Sequence, residues 1–206
     1  PEDILLRLMP SELVRDRANR GVERYKSART IRLTSADGTD LVMSKGDRPA
    51  SNQYGMADAI GRWDHWGTGL VCTTVEEEAG EGALVLSPGD ILFPFERYVT
   101  EPLKIHFEKG LAHRLEGGRE AVMLRTMLDD RGDEGARRLS HVGWGIEHRA
   151  TWDTLSIRGW DNAGGVESRS CYGNVLMAIG ENRDLGGKNP SRLHIDMAFR
   201  STRLEI

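Results

Sequence analysis

The residues with the most chemistry lie in one stretch near the C-terminus, Ser191-Arg192-Leu193-His194-Ile195-Asp196-Met197-Ala198-Phe199. Apolar and polar residues alternate there, which predicts a half-buried strand. A strand's period of two puts His194 and Asp196 on one face and Leu193, Ile195 and Met197 on the other. An imidazole and a carboxylate pointing the same way from a stiff element are two-thirds of the two-histidine, one-carboxylate ligand set of non-haem Fe(II) oxygenases. The spacing fits equally a polar pair on the surface of an edge strand. A metal site also needs a third ligand from elsewhere in the chain.

Other histidines are candidates of different kinds. His65 lies in a segment, residues 45–68, punctuated by Gly46, Pro49, Gly55, Gly61 and Gly67 and rich in aromatics, Tyr54, Trp63 and Trp66. A long loop of that composition reads as a binding loop, although His65 alone reads more readily as a hydrogen-bonded structural histidine. His106 and His113 alternate with apolar residues on two strands and read as exposed-face residues. His141 opens His141-Val142-Gly143-Trp144-Gly145, whose two glycines suggest close backbone approach. His148 follows seven residues later and reads as a surface residue.

The elements that must position these groups are legible in outline. Residues 1–27 predict helix broken at Pro10, with Ser11 as an N-cap for the second part. Thr30–Thr34 and Thr39–Met43 alternate around Asp37-Gly38, a β-hairpin. Leu70–Thr74 and Gly82–Leu86 are strands, and 102–107 with 111–115 form a second hairpin. An apolar stripe of Ala121, Val122, Leu124, Met127 and Leu128 predicts a helix over 118–130. A further helix is expected over about 133–140, an irregular glycine-rich rim loop over 157–173, and a buried strand or short helix at Val175–Gly180. Many strands and few helices make an α+β domain with a mostly antiparallel sheet and flanking helices. The expected division is a linking helical segment, 1–28, and a metal-binding catalytic domain, 29–206.

Composition narrows the partners. The chain has 206 residues and a net charge of −4, with no basic run, which argues against a nucleic-acid surface. No run of about 18 apolar residues suggests a membrane helix. The first residues lack the basic start and apolar core of a signal peptide, and no initiator Met is present, so a fragment or processed product is expected. Two cysteines, Cys72 and Cys171, are too few for a disulfide framework, and a cytoplasmic location follows as the default.

Five segments in register carry a family resemblance: ARTIRLTSADGTDL, EEEAGEGALVL, EPLKIHFEKGLAHRLEGG, GARRLSHVGWGIEHRA and SRLHIDMAF. Together they resemble the C-terminal catalytic domain of the aminopeptidase T-like metalloenzymes, and within them the oxygenase branch, the 2,5-dihydroxypyridine 5,6-dioxygenases. The resemblance runs from about residue 1 to the end; full-length members also carry an N-terminal α/β domain.

It implies His141, His194 and Asp196 as ligands of a single Fe(II), with His65 facing the substrate and handling a proton of its ring hydroxyl. The implied partners are a small hydroxylated pyridine and O₂, in a step of nicotine and nicotinate breakdown, and a homo-oligomer is expected by analogy. The peptidases of the family hold two metal ions. Two of their ligand positions, a Glu and a His, fall on Leu70 and Leu176 here, and a ligand Tyr falls near Arg183. Leucine cannot coordinate a metal, and a cation at Arg183 is expected to oppose a second dication. A metal-dependent aminopeptidase is the alternative activity.

Overall fold

The computed structural model describes residues 2–67, 69–159 and 165–206. Two short helices come first, α1 (Glu2–Arg7) and α2 (Glu12–Ser27). Pro10 parts them, and the Ser11 hydroxyl accepts from the Val14 amide as the N-cap of α2, as the sequence predicts.

Thirteen strands follow among the described residues. Six form one antiparallel sheet, in the order β13 (Arg203–Glu205), β1 (Thr30–Thr34), β2 (Asp40–Ser44), β5 (Gly80–Leu86), β8 (Leu103–Glu108) and β9 (Leu111–Gly117). Seven form the second, in the order β3 (Ala50–Gln53), β4 (Leu70–Thr74), β10 (Leu139–Gly145), β11 (Val175–Gly180), β12 (His194–Phe199), β6 (Ile91–Leu92) and β7 (Arg97–Tyr98). Every pairing within both sheets is antiparallel. Helix α3 (Arg119–Arg131) and the one-turn helices α4 (Thr154–Arg158) and α5 (Val166–Ser170) complete the α+β fold.

One core lies between inward faces of the two sheets. Ile31, Leu33, Leu41, Leu84 and Ile105 from the first meet Val71, Val142, Met177, Ile195 and Phe199 from the second. Val14, Ala18 and Tyr25 of α2 belong to the same core. Gly21 lets this helix approach the sheet, because a Cβ there would lie 2.7 Å from Val71 and 3.1 Å from Trp144. The Tyr25 ring packs beside Trp144, centroids 5.0 Å apart, and its hydroxyl donates to the Val142 carbonyl at 3.1 Å.

Three expectations are corrected. Residues 133–140 are not a helix: a single 3-10 turn, Glu134–Arg137, gives way to strand β10. Asp133 explains the short turn, because its carboxylate accepts from the Ala136 amide at one end and the Arg192 amide at 2.8 Å at the other. The loop 45–68 contains strand β3, whose Ala-Ser-Asn-Gln sequence is half-buried throughout and shows no alternation. Within the expected rim loop, 166–170 is helical, and 160–164 lie outside the described residues.

Tyr25→Phe removes the donor to Val142, so a loss of about 0.5–1.5 kcal/mol is expected. Urea unfolding checks this; an unchanged midpoint would mean that α2 does not anchor β10 through this bond.

Candidate metal centre

The seven-stranded sheet turns its other face away from the core, and the candidate site lies there. Alternation along β12 sends Ile195, Met197 and Phe199 into the core and leaves His194 and Asp196 on the opposite side. On β10, Val142 is in the core, so His141 shares the face of His194 and Asp196. Strand β11 lies between these two strands. Its register puts Ala178 opposite Asp196 and Gly180 opposite His194.

Strands two places apart are separated by about 9–10 Å. His141 and Asp196 span that gap over Ala178, whose single methyl leaves room for them. Gly180 is glycine for a reason: its φ is +98°, and a Cβ there would lie 2.1 Å from the Leu193 carbonyl oxygen.

The three side chains converge. His141 Nε2 is 3.3 Å from His194 Nε2 and 3.1 Å from Asp196 Oδ1, and His194 Nε2 is 3.1 Å from the same oxygen. The imidazole rings stack with centroids 5.2 Å apart. Among the described residues this is the one group of three such side chains able to hold a metal ion. For bonds of about 2.1 Å, adjacent octahedral positions lie about 3.0 Å apart and tetrahedral ones about 3.4 Å. Two edges of the triangle match the octahedral spacing, and the third lies between the two. The donor set and its dimensions therefore fit one divalent ion held on one side only.

The surroundings orient the donors. His194 Nδ1 donates to the Glu181 carbonyl at 2.7 Å, so Nε2 is the ring nitrogen turned toward the centre. The same carbonyl accepts from the Ser140 hydroxyl at 2.9 Å, so the residue before His141 and His194 itself share one anchor. Asn182 and Asn189 fix the turn that feeds β12: the Asn189 side chain donates to the carbonyls of Gly135 and Gly180 at 2.8 and 2.7 Å.

Arg169, which the sequence reading did not single out, holds the outer carboxylate oxygen, with Nε 3.3 Å from Asp196 Oδ2. Its guanidinium lies 3.8 Å above the centroid of Phe93. Oδ1 thus faces the imidazoles while Oδ2 faces a cation. No spacing rule marks this arginine, because α5 brings it in from another part of the chain.

Burial pushes the Asp196 carboxyl up, yet hydrogen bonds from His141 and His194 and their charge hold it well below the usual carboxylate range. Desolvation pushes the His194 imidazole down, but Asp196 and the Glu181 carbonyl raise it overall. The triangle thus favours a carboxylate with positive charge beside it.

The remaining candidates lie apart from this group. His65 is exposed, edge-on to Trp63 with centroids 4.7 Å apart, and its Nε2 is 3.4 Å from the Gln53 amide. Gln53, on the edge strand β3, pairs with Leu70. His148 is on the surface beside Arg17 and Glu147, and His106 and His113 face out from the other sheet, as expected. Leu176 belongs to a buried apolar cluster with Ile91, Phe93, Trp152, Leu155 and Ala198, and Leu70 packs against it. Arg183 is exposed and paired with Glu181 at 2.8 Å.

A two-sheet α+β fold carrying a two-histidine, one-carboxylate group that could hold a metal ion defines a class, and the comparisons with known proteins narrow it. The family model of 2,5-dihydroxypyridine 5,6-dioxygenase matches residues 1–206. The chain belongs to that family. It is 35% identical over 201 residues to the 2,5-dihydroxypyridine 5,6-dioxygenase of Pseudomonas putida KT2440, covering 98% of this chain and 57% of the relative. A solved structure of that bacterium's 2,5-dihydroxypyridine dioxygenase superimposes with a TM-score of 0.93 at 34% identity, covering 100% of this chain and 59% of the other. AmpT from Thermus thermophilus shares the fold, with a TM-score of 0.67 at 19% identity over 98% of this chain and 53% of that one. The chain therefore spans less than two thirds of the length of these relatives. Among the described residues no helix is long and apolar enough to cross a membrane.

Ala178→Val places two more methyl groups beneath the triangle and should part His141 from Asp196. Metal affinity is expected to fall about tenfold or more with the circular dichroism unchanged; full retention of affinity would show that Ala178 does not set the spacing.

Proposed function

We propose that this chain is the catalytic part of an Fe(II)-dependent 2,5-dihydroxypyridine 5,6-dioxygenase. The observation that carries the reading is the triangle of His141, His194 and Asp196, with edges of 3.1–3.3 Å, in a chain of this family. The proposed reaction adds both atoms of O₂ across the C5–C6 bond of the ring, breaks that bond and yields N-formylmaleamic acid, in nicotine and nicotinate degradation. Ring and oxygen together supply every atom of the product, so no further reductant is needed.

His141, His194 and Asp196 hold the ion in this reading and bring a single negative charge to it. Three donors on one side leave about three positions of a six-coordinate ion open, enough for a substrate and O₂ together. When bound, the ferrous ion supplies the one-electron chemistry that lets triplet oxygen react with a closed-shell ring. Arg169 keeps Asp196 Oδ2 turned away and adds positive charge near the open side, which suits a substrate whose ring hydroxyl has lost its proton. His65 is the proposed acceptor of that proton, the side-chain type suited to proton transfer at neutral pH. The proposed setting is a cytoplasmic homo-oligomer.

A two-metal aminopeptidase is disfavoured by Leu70 and Leu176. Both positions are committed to an apolar cluster, and neither can supply a ligand.

Loaded with Fe(II) in the absence of air, the protein should bleach 2,5-dihydroxypyridine and consume O₂ in equal amounts once air is admitted. His194→Ala should abolish both metal retention and turnover. His65→Ala should keep its metal and lose about 10²–10⁴ in kcat. Turnover with Zn(II) and none with Fe(II), or release of an amino acid from an aminoacyl anilide with two ions bound, would overturn the proposal.

A further inference from the structure

The two imidazoles of the triangle are not held alike. His194 has its outer nitrogen satisfied by the Glu181 carbonyl. His141 does not: its Nδ1 is buried and has no hydrogen-bond partner. A metal-bound histidine needs an acceptor for its second ring N–H, because that bond selects the tautomer and holds the ring in plane with the ion.

A second buried polar atom without a partner lies beside it, the Thr74 hydroxyl oxygen. Thr74 is fully buried on β4 and is the register partner of His141 on β10. Directly opposed residues of an antiparallel pair have Cβ atoms about 4.5–5.5 Å apart on the same face. Two unsatisfied groups able to pair, a ring nitrogen and a hydroxyl, are thus adjacent on the face that carries the site. Leaving both unpaired would cost about 1–3 kcal/mol each, and one link between them removes both penalties.

We infer that Thr74 is the positioning residue of His141: its Oγ accepts the Nδ1–H, directly or through one bound water, and so turns the Nε2 lone pair toward His194 and Asp196. The inference rests on the proposed role of His141 as a metal ligand. It assigns an orienting role to a residue that touches neither metal nor substrate. The sheet then supplies each imidazole with its own acceptor, a backbone carbonyl for His194 and a side-chain hydroxyl for His141.

The test compares Thr74→Val, which keeps shape and strand propensity, with Thr74→Ser, which keeps the hydroxyl, and with His141→Ala. The readout is Fe(II) affinity by anaerobic competition with a chelator, alongside the melting temperature of the metal-free proteins. T74V should bind Fe(II) about 10–100-fold more weakly than the parent, and T74S should recover most of that loss. A T74V affinity equal to the parent's, with H141A impaired, would overturn the inference alone. H141A with undiminished affinity would overturn the ligand assignment beneath it. The parent protein loaded with Zn(II) gives an answer independent of any variant's folding. Its ¹⁵N-histidine NMR spectrum should show a slowly exchanging Nδ1–H on His141; a metal-bound Nδ1, or a rapidly exchanging one, would refute the proposal.

Discussion

Three electron-rich atoms pressed together at 3.1–3.3 Å are stable only if positive charge lies among them. Two imidazole nitrogens and a carboxylate oxygen presenting lone pairs to one point repel one another unless a proton or a metal ion is shared. The depressed Asp196 carboxyl and the raised His194 imidazole express the same demand. Much of the fold around them serves to keep these atoms from relaxing apart. Asp133, Asn182 and Asn189 brace the turn before β12, and Tyr25 ties the strand of His141 to the core helix.

Convergence across three strands depends on a small residue in the middle one. Side chains on alternate strands would ordinarily be separated by the chain between them. Ala178 is the exception here, and Gly180, at φ +98°, lets the backbone just before His194 approach closely. On the far side of the same sheet, large residues fill the core. One sheet therefore carries two packing regimes, close-packed hydrocarbon inward and a sparse polar floor outward. Part of that floor is closed by Leu70, Leu176 and their apolar neighbours.

Local pattern made much of this legible beforehand. Both hairpins, the break at Pro10, helix α3 and the strand of His194 and Asp196 follow from alternation, turn residues and caps, which act over a few residues. His141 was different. Nothing local in HVGWG distinguishes a ligand from a buried histidine, and only the resemblance to a family singled it out. Strand β3 escaped notice because Ala-Ser-Asn-Gln has no apolar period; its pairing with β4 makes it a strand. Arg169 and Thr74 escaped because their significance depends on which element lies next to them in space. The Glu181 carbonyl is beyond any side-chain pattern, since every residue has one.

Strand order has a further consequence for how such a protein is made. β12 follows β11 late in the chain, yet it occupies an interior place, flanked by β11 on one side and by the much earlier β6 on the other. Until it leaves the ribosome, β6 and β7 have no sheet to join and His141 has neither of its companions. Assembly of the triangle and closure of the larger sheet are thus a single event, dominated by contacts far apart in sequence, the kind that form slowly. Nascent chains stalled short of this strand should lack the triangle however much of the remaining structure they have acquired.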